Sequence, residues 1–314
     1  MIASACGSLD MIRSGSAQPS FRMKMDHRKQ HWVPSSYLAA WCDPALPPGY
    51  DPYVWRFPRE GANGHRKAPQ NIFWETDFYT IHLPDGQRDL SLEHGLGTLE
   101  DKFCQMRKTR IANREPLNTA EKVWFCAFIA AMHFRTRAQR KAFQQQWGHA
   151  VRVAEDLQQA LDAMTPEQRQ QYPPPRPLGE TVGPSLTIND VKKVADQPIQ
   201  HMLPTIIEEN LPVLARMNLV IFTTEDDIGF VTSDHPCVWF DPQGGRRPPM
   251  LQSRTIEVSM PVSPNSLALL CWQDLPNYKN MTRLEVDNAN RFQQMACDEY
   301  FVVRRNATKP VWFT

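Results

Sequence analysis

A histidine held before a Val-Pro step opens the chemically richest stretch of this chain, Gln30-His31-Trp32-Val33-Pro34-Ser35-Ser36-Tyr37-Leu38. About two hundred residues later Ser233-Asp234-His235-Pro236 has the same character. Proline fixes its own φ and keeps the preceding residue extended, so each segment carries ionisable side chains on a stiffened loop. Rigid polar loops are where sites are built. The imidazole of His31 is suited to coordinating a metal or moving protons near neutral pH. Asp234 follows the strand-like run Gly229 to Thr232, which would project its carboxylate into a cleft, and His235 is a further candidate ligand. Each has a local alternative: His31 as a hydrogen-bonded cap for the following helix, Ser233-Asp234 as an Asx-type turn serving nearby amides. Ser233 lacks a G-x-S-x-G elbow, which argues against a serine nucleophile.

Between these segments lie Glu75, Glu93, Glu100, His133 and Arg135. Glu93 and Glu100 are seven residues apart, which places them on one face of a continuous helix with a rise of ~10 Å between them. Gly97 lies between them on that face and either leaves room for a ligand or marks a break between two helices. Two carboxylates serving one hard cation need oxygens within ~2.0–2.6 Å of it, so each glutamate works better with a partner from elsewhere. The alternative for both is a solvated surface or a salt bridge. His133, at the end of an apolar run, reads more readily as a satisfied core histidine. Arg135, at the margin of the same run, needs a carboxylate or phosphate partner and can bind either bidentately. The run Arg135 to Lys141 reads as a solvated face before it reads as a phosphate track.

Three functional classes are compatible with these residues. The first is a metal-assisted hydrolase, a phosphodiesterase or nuclease, in which His31, Glu93, Glu100 and Asp234 hold Mg, Mn or Zn and Arg135 neutralises phosphate charge. The catalytic set is then His31, Glu93, Glu100, Arg135 and Asp234. The second is a non-catalytic module that binds a nucleotide, a nucleic-acid end or a peptide through the same groups. The third is structural, the segments holding caps and buried hydrogen bonds alone. A small anionic or nucleic-acid ligand suits the first two, and no organic cofactor is indicated.

The elements that must position these residues divide unevenly along the chain. Tyr53 to Thr80 reads as strands, Tyr53-Val54-Trp55-Arg56-Phe57 and Ile72-Phe73-Trp74, about the Gly61-Ala62-Asn63-Gly64 turn. Leu90 to Arg110 is helical, with Thr98 and Asp101 as an alternative internal cap. Asn118 and Glu121 cap a stronger helix whose residues Val123 to Phe134 are apolar on nearly all sides, continued by the amphipathic Arg135 to Met164. Asn189 to Met217 is helical but should be divided by Pro198, Pro204 and Pro212. Leu219–Thr223, Gly229–Thr232, Val238–Phe240, Thr255–Val262, Ser266–Trp272 and Tyr300–Arg304 read as strands, with a helix around Asp287 to Ala296. Helices early and strands late argue for an α+β fold: a helical first half on a mainly antiparallel sheet formed largely by the C-terminal half.

The sequence resembles domain-of-unknown-function family 4238, which is mainly prokaryotic. The resemblance runs from Gln30 to Val303 on short islands: Gln30-His31-Trp32-Val33-Pro34, Val54-Trp55, Glu75 through Tyr79, Leu92-Glu93 with Leu99-Glu100, Phe128 through Thr136, Phe230 through Pro236, and Pro261 through Pro264. Trp32 stands where a tyrosine is more usual, and His235 where a small polar residue is. The resemblance implies a place on the protein and no reaction, since no activity is established for the family as a whole.

With 314 residues the chain can bury roughly three quarters of its unfolded surface in one domain, 26–314, with a potential subdomain boundary in the proline-rich loop 172–184. Residues 1–25 read as a disordered leader without signal-peptide character. Thirty-five basic against 34 acidic residues, net +1, exclude a global nucleic-acid or membrane footprint. No apolar run reaches the ~20 residues that span a bilayer. Seven cysteines without C-x-x-C spacing read as free thiols in a reducing cytoplasm.

Overall fold

Asn118 and Glu121 close a reciprocal capping box, each side chain accepting the other's backbone N–H at 2.9 Å, and start the most deeply buried helix of the protein. The computed structural model describes residues 28–43, 46, 49–171, 187–245 and 248–314; the expected leader and the loop 172–184 lie outside them. In chain order the helices are α1 (Ser35–Leu38), α2 (Ser91–Thr109), α3 (Thr119–Phe134), α4 (Arg137–Asp162), α5 (Pro166–Gln171), α6 (Ile188–Asp196), α7 (Pro198–Arg216) and α8 (Arg283–Ala296). The strands are β1 (Lys29–His31), β2 (Val54–Pro58), β3 (His65–Lys67), β4 (Trp74–Thr76), β5 (Ile81–His82), β6 (Arg88–Asp89), β7 (Asn218–Thr223), β8 (Thr232–Ser233), β9 (Val238–Phe240), β10 (Glu257–Ser263), β11 (Ser266–Cys271), β12 (Tyr278–Asn280) and β13 (Tyr300–Val303).

This is an α+β fold with mainly antiparallel sheets. The largest has the order β12-β7-β11-β10-β9, antiparallel except for the β12–β7 pair. Strand alternation gives it two apolar faces. Ile221, Val258, Met260, Val262, Ala268 and Leu270 join the main core with the helices, while Val220, Phe222, Leu267 and Leu269 form a second, smaller cluster with Val286 of α8. A four-stranded sheet, β3-β2-β13-β8, draws β2 and β3 from the first half of the chain, so the late sheet is less exclusively C-terminal than expected. Gly229 allows the approach of β8: its φ is +70°, and a Cβ there would collide with the Pro264 carbonyl, which accepts the Phe230 N–H at 2.7 Å.

Several boundaries differ from the sequence expectation for identifiable reasons. Residues 72–73 do not extend the β2–β3 hairpin; β4 pairs with β1 instead, bracketed by Phe73 and Asp77 in the left-handed region at φ +56°. No cap forms at Thr98, and α2 runs unbroken through Gly95 and Gly97 because Leu92, Leu96, Leu99, Phe103 and Met106 bury one continuous stripe. Pro198 begins a new helix, but Pro204 and Pro212 lie inside α7. Burying Ile199, Leu203, Ile207, Leu211 and Leu214 contributes roughly 7–15 kcal/mol, against about 6 for two interior prolines. Helices α3 and α4 abut without a linker: Arg135 ends the first and Thr136, extended at ψ 160°, caps the second by accepting the Gln139 N–H.

The loop segment from Trp32 is locked into this core by Tyr37, whose hydroxyl donates to the Pro261 carbonyl at 2.6 Å and meets Thr232 Oγ1 at 2.8 Å. Arg107 donates to the Ser36 and Tyr37 carbonyls at the end of α1. The Tyr37 ring is tilted against Trp41, Phe103 and Phe128. Phe128 and Ile129 are fully buried, whereas Trp124, also expected inside, is only half-buried. Among the described residues no helix is long and apolar enough to cross a membrane, and Cys42, Cys104, Cys126, Cys237, Cys271 and Cys297 are free thiols. Phe128 stacks on Phe103 with centroids 3.9 Å apart. Phe128→Ala should lower unfolding stability by about 3–5 kcal/mol in urea titrations; a loss below about 1 kcal/mol would show that this stack is not the hub of the core.

Candidate functional site

The turn from α3 into α4 sends successive side chains to different places. Arg135 points inward and is fully buried, while Arg137 is exposed. Strand β1 does the same on the other side. Gln30 is buried, its amide nitrogen donating to Thr80 Oγ1 and its carbonyl oxygen accepting the Tyr79 N–H. His31 and Trp32 then diverge, with His31 entering the field of Arg135 and Trp32 lining a cavity beneath the Arg137 guanidinium.

Arg135 contacts Glu100 directly, and Glu93 and His31 lie within reach of its charge. Its Nη1 donates to Glu100 Oε1 at 2.8 Å, and its Nη2 lies 3.2 Å from Met132 Sδ. Its Nε is buried and has no hydrogen-bond partner among the described residues. Burial works against the guanidinium charge, but the fields of Tyr79, Glu100 and Glu93 hold it on. Burial raises Glu100, and Arg135 opposes that shift. Glu93, one helical face away across Gly97, is pushed up to about 7 by burial and by the Glu100 charge, with Arg135 pulling the other way. A side chain at Gly97 would meet no atom within 4 Å, so the face between the two glutamates is open. His31 is lowered to about 4, chiefly by burial, so the ring is neutral. Its Nε2 lies 3.3 Å from the Gln70 carbonyl and must be the protonated nitrogen, which leaves Nδ1 as an acceptor. Tyr79 donates its hydroxyl to the His31 carbonyl at 3.2 Å. Tyr79 was not singled out as a site residue; it lies in the Glu75–Tyr79 island, and nothing in its spacing marks it for the cluster.

Asp234 does not join this group. Its carboxylate accepts the N–H groups of Asp298, Glu299 and Tyr300 at 2.7–2.9 Å. Burial raises its pKa, and those three amides oppose the shift. The Asx-turn alternative does not describe Asp234, because the amides it serves are distant in sequence; the local amide of His235 is accepted by Ser233 Oγ at 3.0 Å instead. Its cavity, about 310 Å³, is also lined by Trp32, Arg56, Trp74 and Tyr300, and His31 does not line it. The expected metal set of His31, Glu93, Glu100 and Asp234 thus does not assemble. Among the described residues no three His, Cys, Asp or Glu side chains are arranged to hold a metal ion.

The remaining candidates are structural in their contacts. Glu75 receives a bidentate pair from Arg140, both bonds 2.9 Å, and clamps β4 to α4. His133 stacks on Trp239 at 4.2 Å with Nδ1 3.2 Å from the Cys237 carbonyl, and burial lowers it to about 3. His235 packs edge-on to His133, and burial lowers it too. In the basic run, Arg137 and Arg140 both reach Glu75.

The raised Glu93 carboxyl has a thermodynamic consequence of definite sign. Its proton is held more tightly in the folded state, so its contribution to stability is full below about 4.5 and is lost as the pH rises to about 7. Glu93→Gln should therefore gain stability relative to the unmutated protein between pH 5 and pH 8, by on the order of 1–3 kcal/mol. Urea midpoints at the two pH values check this, and an unchanged or reversed difference would mean that Glu93 titrates normally.

Comparison with curated proteins and with solved structures returned no match. A family model matches residues 29–308, a span that contains β1, the Glu93–Gly97–Glu100 face and the Arg135 turn. The chain belongs to the family of that model, described as "Protein of unknown function (DUF4238)".

Proposed function

We propose that this protein is a hydrolase in which Glu93 and Glu100 form an acid–base pair and Arg135 sets their unequal ionisation. The observation that carries the reading is the open face of α2 between two carboxyl groups that burial pushes up in pKa, of which only Glu100 is ion-paired to Arg135. Two carboxyl groups pushed apart in pKa supply an acid and a base within one cleft near neutral pH. Protonated Glu93 delivers a proton to the leaving group. Glu100, ion-paired to Arg135 at 2.8 Å, acts as the base that orients and deprotonates a water molecule above Gly97, and the neutral Nδ1 of His31 accepts a hydrogen bond from substrate or water. The water oxygen bonds to the acetal or ester carbon as the bond to the protonated leaving group breaks; after product leaves, Glu100 gives up the proton it took from water and Glu93 regains one through solvent, which restores both groups.

Charge decides the substrate class. Arg135 is already engaged by Glu100, and Arg137 and Arg140 by Glu75, so no uncommitted cation in this cluster faces the glutamates. An uncharged acetal or ester suits such a face better than the phosphodiester expected from residue types alone. No step passes through a divalent cation, because the donors that would hold one do not come together. The free thiols are compatible with a reducing cytoplasm.

A second reading, a non-catalytic binding module, draws on the 310 Å³ cavity, where Trp32 and Asp234 from the two proline-stiffened segments meet Arg56 and Tyr300. A panel of p-nitrophenyl glycosides, p-nitrophenyl esters and bis(p-nitrophenyl) phosphate separates the readings. The expected result is turnover of a glycoside or ester that survives EDTA and falls about 10²–10⁴-fold in both Glu93→Gln and Glu100→Gln. Turnover of the phosphodiester alone, loss of activity in EDTA, or no turnover of any substrate by the folded protein would overturn it.

A further inference from the structure

The second face of the five-stranded sheet is only partly covered. Helix α8 packs on it through Val286, but between the helix and β9–β11 a cavity of about 260 Å³ remains, walled by Phe222, Phe230, Phe240, Leu269 and Phe292. Phe240 and Phe292 face each other across its rim with ring centroids 4.9 Å apart. A cavity of this size with mostly apolar walls and a few polar groups has the make-up of a small-molecule site.

Its polar groups are mostly committed to the fold. Asn290 accepts the Val231 N–H and donates to the Gly229 carbonyl. Gln293 donates to Ser233 Oγ and the His235 carbonyl. Glu285 accepts the Thr282 N–H and hydroxyl in the cap of α8. Glu257 is different. It is half-buried on the apolar sheet face, and its carboxyl makes no hydrogen bond or ion pair among the described residues. Burial raises its pKa with no cation to oppose the shift. Lys279 stands three strands away on β12, its ammonium 6.0 Å from the centre of the Phe222 ring and within the field of Glu285.

We infer that this cavity binds a small apolar organic cation, its ammonium group against Glu257 and its hydrocarbon part against the phenylalanine rings. A half-buried carboxylate without a partner is costly, and a ligand cation removes that cost. Phenylalanine faces add attraction for the cation, and the apolar walls bury the rest of the ligand. The same carboxylate repels fatty acids and other apolar anions, so the charge sets selectivity. The site is separate from the Glu93–Glu100 face and does not rest on the hydrolase reading.

The probe is benzyltrimethylammonium, followed by calorimetry and by saturation-transfer NMR on the full chain, with 3-phenylpropionate as the apolar anion of comparable size. The expected result is saturable 1:1 binding of the cation, no competition by 3-phenylpropionate, and roughly tenfold or greater weakening in Glu257→Gln with a melting temperature unchanged or raised. Ala289→Phe, which fills the cavity from α8, should abolish binding; a thermal melt establishes that this variant is folded. No saturable binding, equal binding of the anion, or full affinity in Glu257→Gln would each overturn the proposal. If Glu257→Gln fails to fold, Glu257→Asp replaces it and must still weaken the cation, since retraction of the carboxylate lengthens the contact; full affinity there overturns the proposal equally.

Discussion

A fully buried guanidinium at the point where α3 meets α4 is the constraint around which this molecule is organised. Arg135 cannot shed its proton, so its charge must be answered from inside the fold. Glu100 does this directly, through an ion pair of 2.8 Å. Leaving such a charge unpaired costs about 3–5 kcal/mol, which is enough to fix the register of α2 against α3. The same demand forces two carboxyl groups onto one helix face at the core margin, and only one of them can take the ion pair. The other, Glu93, bears the cost of burial and of its neighbour's charge, and keeps a proton to about pH 7.

The two proline-stiffened segments acquire their roles from this arrangement. Trp32 and Asp234 meet at one cavity, while His31 turns the other way into the Arg135 field. Asp234 spends its carboxylate on three consecutive amides that begin β13, which ties the loop after β8 to the last strand. Tyr37 ties the first segment to the carbonyl of Pro261. The stiff loops thus serve packing and positioning together, and among their ionisable groups His31 is the one that lies in the field of Arg135.

What was legible in the sequence was whatever depended on local pattern. Asn118 and Glu121 announced the cap of α3, the alternating runs announced β7, β9, β10 and β11, and the heptad spacing of Glu93 and Glu100 announced their shared face. Arg135, at the end of an apolar run, called for a carboxylate or phosphate partner, and Glu100 is that partner. What was not legible depended on contacts between distant segments. Nothing near Asp234 in sequence reveals that its amide partners are residues 298–300, and nothing near Phe73 reveals that β4 pairs with β1 across more than forty residues. Pro204 and Pro212 misled because their local cost is visible in sequence while the buried stripe that outweighs it is a tertiary quantity.

The central claim is that Arg135 and Glu100 force a neutral carboxyl group onto the open face of α2. The most direct measurement is an NMR titration of protein labelled with ¹³C at the glutamate side-chain carboxyls, assigned by loss of one resonance in Glu93→Gln. The account predicts one carboxyl titrating near pH 7 that vanishes in that variant. A set of glutamates all ionised by about pH 5, Glu93 included, would contradict it.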